Sequence, residues 1–328
     1  MREIGGMIES YRNAYLSEVL KMTYDEALKI FQMPFIDLLY AAQGVHRTNF
    51  DTTQMQLCTL LSIQTGGCPE DCAYCAQSKR NKNHPPMERI TDIETIIKAA
   101  REAKDMGATR FCLGASGRMP SNELLEIICK AIPEIKKLGL HACCCLGTLN
   151  EEQVLKLKEC GLDYYNHNID TSSEYYKNII TTRTIDERMD TLKLLQKHGI
   201  KICTGGILGI GETNKDRINM LLLLKKLEKD PDLITINRLV KIPGTPLENA
   251  PDIDSFEFVR FLALARIMMP KSYLKLSAGR ETMSEELQTL CFFAGVNSIF
   301  IGKKLLTVNN SHYSADIALL QKLGMTWV

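Results

Sequence analysis

From residue 57 onward the chain alternates two patterns with a regularity that few folds accommodate. Short β-prone runs fall at 57–63, 109–115, 140–146, 162–168, 200–207, 233–240, 273–278 and 296–301. Between them lie amphipathic helical patterns at 92–106, 121–138, 150–160, 184–198, 213–229, 253–269 and 282–294. Strands separated by helices of this length run parallel, because only a crossover returns the chain to the same end of a sheet. Eight such strands favour a closed barrel over an open doubly wound sheet. The predicted fold is therefore α/β, a (β/α)8 barrel of TIM type. Punctuation agrees with it. Ser121 or Asn122, Thr184 and Thr213 stand where helices should begin, and Gly107, Gly139, Gly161 and Gly199 stand where helices should end. Residues 1–50 read as an N-terminal helical cap, with apolar residues at three- and four-residue spacing in Tyr24 to Met33 and Pro34 to Gly44. Residues 51–328 read as one structural domain, since no Pro-, Gly- or Ser-rich linker divides them.

Composition matters here mainly for what it excludes. Forty basic residues against 39 acidic ones give a formal charge of +1, which offers no electrostatic case for nucleic acid or an anionic membrane. The apolar runs Met220 to Leu224 and Phe261 to Pro270 are too short or too interrupted to span a bilayer. The chain begins Met1-Arg2-Glu3-Ile4 with no apolar signal core, so the expected compartment is the reducing cytoplasm. There, twelve cysteines read as metal ligands rather than as a disulfide framework.

The densest cysteine cluster is Gly66-Gly67-Cys68-Pro69-Glu70-Asp71-Cys72-Ala73-Tyr74-Cys75, three thiols within eight residues. Glycines in front let the backbone fold round, so Cys68, Cys72 and Cys75 can point at one object. An iron–sulfur cluster held by only three protein sulfurs is the simplest candidate. A closed structural site would use four ligands, and a zinc knuckle would bring a second CxxC pair, which is missing. The loop follows the first strand, which places it on the face where barrels of this kind keep their active sites. With an aromatic just before its last cysteine, the loop resembles the radical S-adenosylmethionine family. That resemblance implies a 4Fe–4S cluster whose open iron binds S-adenosylmethionine and generates a 5′-deoxyadenosyl radical.

Further cysteines recur strand by strand: Cys112, then Cys143, Cys144 and Cys145, then Cys203. Residues two apart on a strand face the same way, so Cys143 and Cys145 share the barrel interior while Cys144 faces the helices. Four inward thiols, Cys112, Cys143, Cys145 and Cys203, point to a second metal cluster. Cys58, Cys129, Cys160 and Cys291 read as packing residues.

Longer motifs narrow the resemblance to the biotin synthase family, over roughly residues 35 to 325. Among them are Arg110-Phe111-Cys112, Tyr164 to Thr171, Ile179 to Thr184, Cys203-Thr204-Gly205-Gly206, Arg266 to Pro270 and Leu276-Ser277-Ala278-Gly279-Arg280. The resemblance implies sulfur insertion into dethiobiotin to give biotin. It also implies an auxiliary 2Fe–2S cluster on Cys112, Cys143, Cys203 and an arginine. This chain has Lys275 at that arginine's position, and lysine is no equivalent of a planar guanidinium. Cys145 offers a compensating fourth thiolate, which would suit a four-cysteine 4Fe-type cluster. Asn166, Asn168 and Asp170 alternate, so they are expected to face one way and to suit ribose hydroxyls and a ureido ring. The resemblance assigns the cofactor to Asn168 and Asp170, with Tyr74, Arg188 and Ile207, and the substrate to Asn166, Asn168, Asn237 and Thr307. Arg183 and Arg188 are candidates for carboxylate binding. Gly205 to Gly211 does not match a dinucleotide fingerprint and is expected to let backbone approach adenine. A flavodoxin- or ferredoxin-type electron donor and a homodimer complete the expectation. The nearest alternative is another enzyme of the same barrel subfamily, of hydrogenase-maturation or methylornithine-forming type. An alternative of another class is a non-catalytic iron–sulfur carrier.

Overall fold

In the computed structural model, which describes residues 22–302 and 304–328, parallel strands form at all eight expected positions. They are β1 (Gln54–Thr65), β2 (Arg110–Ala115), β3 (His141–Cys145), β4 (Tyr164–Asn166), β5 (Lys201–Leu208), β6 (Leu233–Arg238), β7 (Tyr273–Leu276) and β8 (Ser298–Phe300). Each pairs with its sequence neighbour, and β8 pairs back onto β1 through Leu57↔Ile299 and Cys58↔Phe300. The barrel is therefore closed, and closure leaves no strand edge exposed. The helical reading of residues 1–21 lies outside the described residues.

The helices are α1 (Tyr24–Phe31), α2 (Phe35–Asn49), α3 (Ile93–Asp105), α4 (Asn122–Lys137), α5 (Glu151–Glu159), α6 (Ile185–Lys197), α7 (Asn214–Leu224), α8 (Ser255–Met268), α9 (Glu285–Phe293) and α10 (Tyr313–Lys322). Their starts are set locally. Ser121 caps α4, and Thr184 and Thr213 form capping boxes with Glu187 and Asp216. Gly107, Gly139, Gly161 and Gly199 follow helix ends with φ of 81°, 76°, 87° and 69°.

Alternation along each strand makes two cores. Outward residues such as Leu57, Phe111, Cys144, Tyr165, Ile202 and Ile234 pack against the helices. Inward residues fill the barrel. The outer core is tight, and truncating a fully buried leucine there, such as Leu192, costs about 2–5 kcal/mol. Helix α8 is buried almost all round because α1 and α2 lie over its outer side, where Arg260 donates to the carbonyls of Phe31 (3.0 Å) and Met33 (2.7 Å). The N-terminal helices thus clad one flank of the barrel. Arg280 of the Ser-Ala-Gly-Arg motif ties α10 to the barrel through a buried bidentate pair with Asp316 at 2.5 and 2.8 Å.

Cys129 on α4 and Cys160 at the end of α5 are paired as a disulfide, with Cα atoms 5.2 Å apart. This corrects their reading as isolated packing residues. The two helices are neighbours on the barrel's outside, and sequence spacing of 31 residues hides that proximity.

Candidate active site with two thiol groups at different depths

The three-thiol loop leaves β1 through Gly66 and Gly67, both at positive φ. Gly66 cannot be anything larger, since a Cβ there would stand 2.2 Å from the Pro86 carbonyl oxygen. The loop then closes on itself: Cys68 N donates to the Gln77 carbonyl (3.0 Å), and Lys79 N donates to the Cys68 carbonyl (2.9 Å). Its outer side is anchored to residues 179–183. Ala73 N donates to the Ile179 carbonyl (2.9 Å), and Asp71 accepts from the Thr181 and Thr182 amides (2.9 and 3.2 Å). Glu70 is buried and accepts from Thr182 Oγ1 (2.5 Å), Arg183 Nε (3.0 Å) and Arg118 Nη1 (3.2 Å). Burial alone would raise the Asp71 carboxyl, but its bonds to Thr181 and Thr182 override that and hold it at about 2. Burial pushes the Cys72 thiol up to about 12 and the Cys75 thiol up to about 11.

Deeper in the barrel, Cys112, Cys143 and Cys203 pack together with Tyr164, Leu233, Phe300 and Leu305. Strand register sets this up: Cys112 pairs with Cys143, and Gly114 with Cys145. Two cations share the chamber. Arg110, fully buried, donates to Cys203 Sγ at 3.4 Å and stacks 3.6 Å over the Tyr164 ring. Lys275, 2% exposed, holds its ammonium 4.0 Å over the Phe300 ring. Cys144 faces the helices, as the alternation predicts. Cys145 faces inward one step nearer the mouth, under the influence of Cys112 and Cys203 on one side and of Arg188 and Asp170 on the other.

Cys58 departs from its reading as a packing residue without companions. It faces inward into the same chamber as the three deep thiols. The period-two register of β1 carried that signal, but only barrel closure shows which strands face each other. Arg110 was findable in the same way, since it lies one strand repeat before Cys112.

Between the two thiol groups runs the segment Asn166–Asp170. The pairing with β5 continues past Asn166, with His167 N and Ile169 N donating to the Cys203 and Gly205 carbonyls, and only Asp170 turns into the left-handed region, at φ 67°. Asp170 Oδ2 accepts from the Tyr74 hydroxyl (2.8 Å) and pairs with Arg188 Nη2 (2.7 Å). Arg188 also donates to Tyr176 Oη (2.6 Å) and the Asn168 carbonyl (2.5 Å). Arg188 is thus buried and bonded to Asp170, Tyr176 and Asn168, while the buried Arg183 gives one nitrogen to Glu70. Asn168 keeps a buried Oδ1 with no partner, and Asn166 is held only by a 3.5 Å contact to Thr235. Ile207 packs against Cys72 and Ala73.

The remaining expectations fare differently. Asn237 is tied at both ends, donating to the Gly206 carbonyl (3.2 Å) and accepting from Ala278 N (3.1 Å). A Cβ on Gly206 would meet the Asp170 carbonyl oxygen at 2.4 Å, so that glycine admits protein backbone. Thr307 is exposed in the turn of a short hairpin, Lys304–Leu305 with Val308–Asn309, and is not gathered with the other polar residues. The same hairpin sends Leu305 into the thiol chamber and Leu306 onto Gly114.

A closed parallel barrel with a three-thiol loop at its mouth defines a radical S-adenosylmethionine enzyme, and the Radical SAM superfamily model matches residues 62–224. The Biotin and Thiamin Synthesis associated domain matches residues 235–326. A Rickettsia felis protein described as biotin synthase is 56% identical over 93% of this chain and 99% of its own length. One from Lawsonia intracellularis is 53% identical over 92% of this chain and 96% of its own. The chain belongs to the biotin synthase family. Among solved structures, a methylornithine synthase superposes with TM-score 0.79 at 20% identity, covering 95% of this chain and 96% of that one. An FeFe-hydrogenase maturase from Carboxydothermus hydrogenoformans gives 0.80 at 18%, covering 99% and 80%. These two share the fold. As a member of the radical superfamily, the enzyme uses a 4Fe–4S cluster and S-adenosylmethionine.

Proposed function

We propose that this enzyme inserts sulfur into dethiobiotin to give biotin, with Cys68, Cys72 and Cys75 holding the 4Fe–4S cluster. Cys112, Cys143 and Cys203 hold an auxiliary iron–sulfur cluster that supplies the sulfur. The observation that carries this reading is the stacking of two thiol groups at two depths of one barrel, with a polar segment between them. Both groups fit iron–sulfur clusters by donor chemistry. The chamber also fits an anion, because buried Arg110 keeps Nε and Nη2 without partners.

When bound, the 4Fe–4S cluster supplies the electron that cleaves S-adenosylmethionine to a 5′-deoxyadenosyl radical. This chain's residues position and shield. Asn168 Oδ1 is the free buried acceptor for a ribose or ureido donor, and Asn166 lies beside it. Asp170 and Tyr74 fix the wall between the two thiol groups through their shared hydrogen bond. The hairpin carrying Leu305 and Leu306 covers the interior from one side, which keeps water from a reactive radical. A one-electron donor of flavodoxin or ferredoxin type and a homodimeric assembly belong to the same proposal. Anaerobic reconstitution with reductant, S-adenosylmethionine and dethiobiotin tests it. The expected products are 5′-deoxyadenosine and biotin, and 5′-deoxyadenosine without biotin would overturn the substrate assignment.

A further inference from the structure

We propose that Cys58 is the fourth thiolate of the deep chamber and that Lys275 stands beside it as a counter-cation rather than a ligand. This rests on the reading of Cys112, Cys143 and Cys203 as holders of an auxiliary iron–sulfur cluster. Cys58 lies on β1 opposite Phe300 of β8 and opposite Arg110 of β2, two residues before Cys112, which itself stands opposite Leu60. Its thiol is fully buried in one packed cluster with Cys112, Cys143 and Cys203. Its sulfur sits 3.6 Å from Ser298 Oγ and 3.7 Å from Gln56 Oε1, and that amide oxygen also accepts from Ser298 Oγ at 3.1 Å. Cys145 faces the same interior but packs outside that cluster, one strand repeat nearer Asp170.

Charge points the same way. Arg110 and Lys275 are both buried in the chamber, and among the described residues neither pairs with a carboxylate. Two buried cations without an anion are costly. An oxidised iron–sulfur core with four thiolates is a dianion, and it offsets both cations, whereas three thiolates leave one unmatched. A lysine must lose its proton to bind iron, and a thiolate at hand makes that step unnecessary.

The test uses the anaerobically reconstituted full chain with Cys58→Ala, Cys58→Ser, Cys145→Ala, Lys275→Met and Cys112→Ala. Iron and sulfide content, Mössbauer spectra and visible absorption are read, with the 4Fe–4S cluster of the same molecule reporting that the barrel has folded. Cys58→Ala is expected to lose the auxiliary iron while the 4Fe–4S signal persists. Cys58→Ser is expected to keep it with blue-shifted charge-transfer bands, because oxygen replaces sulfur. Cys145→Ala and Lys275→Met should retain the auxiliary iron, the latter at a lower reduction potential. Wild-type auxiliary spectra in both Cys58 variants, with loss in Cys112→Ala, would overturn the proposal and leave the auxiliary site standing. Wild-type spectra in Cys112→Ala as well would overturn both.

Discussion

The two thiol groups are held by opposite means. In the mouth, Cys68, Cys72 and Cys75 sit on a loop whose shape comes from hydrogen bonds to residues 179–183, about a hundred residues on in the chain. In the chamber, the sulfurs sit on strands whose spacing the sheet ladder already fixes. Their electrostatics differ too. Burial dominates at Cys72 and Cys75 and pushes both thiols up. At Cys112 the hydrogen bond from Cys143 lowers the thiol most, with Lys275 and Arg110 adding to it. At Cys203 burial works upward but is outweighed by Cys143, Arg110 and Lys275. The loop therefore depends on its anchors, and the chamber on its charges.

The sharpest break in this comparison exchanges the two sites. Cys72→Ala should abolish 5′-deoxyadenosine formation while the auxiliary spectrum persists. Cys112→Ala should do the reverse, stopping biotin formation with 5′-deoxyadenosine retained. Loss of both signals in either variant would mean that the two sites assemble as one.

Next in size is Glu70→Ala. It strands Arg183 in a pair whose side chains are 5% and 3% exposed, so stability should fall by about 3–5 kcal/mol in a urea titration. Iron at the loop should fall with it and the chamber signal should not. An intact loop cluster in this variant would refute the dependence on anchors.

Asp170→Asn keeps the shape but weakens the bonds to Tyr74 and Arg188, charge-assisted interactions worth roughly 1.5–3 kcal/mol. S-adenosylmethionine affinity, measured calorimetrically, should drop about tenfold or more. Unchanged affinity would place the wall's rigidity outside cofactor binding.

The smallest effect concerns acid. Asp71 is held at about 2, below its ordinary unfolded value of about 3.9. Its contribution is therefore present above the unfolded value and is lost as pH falls toward 2. In metal-free protein, Asp71→Asn should flatten the fall in stability between those two values. An identical acid profile would show that the anchor carries no linkage.

Much of this molecule is written locally. Eight strands, the helices between them, their Ser and Thr caps and the glycines at their ends follow from period, propensity and backbone sterics within a few residues. The three-thiol loop and the inward direction of Cys112, Cys143 and Cys203 are equally legible, since spacing and strand alternation are local properties. Tertiary structure decided the rest. It brought Cys58 into the chamber through closure of β8 on β1, and joined Cys129 to Cys160 across neighbouring helices. It also turned Asp170 off the strand so that Arg188 was consumed within the protein, and gave Glu70 its distant partners. Each of these depends on which residues meet across the barrel. That is set by register and closure over the whole sheet, which no short window of sequence contains.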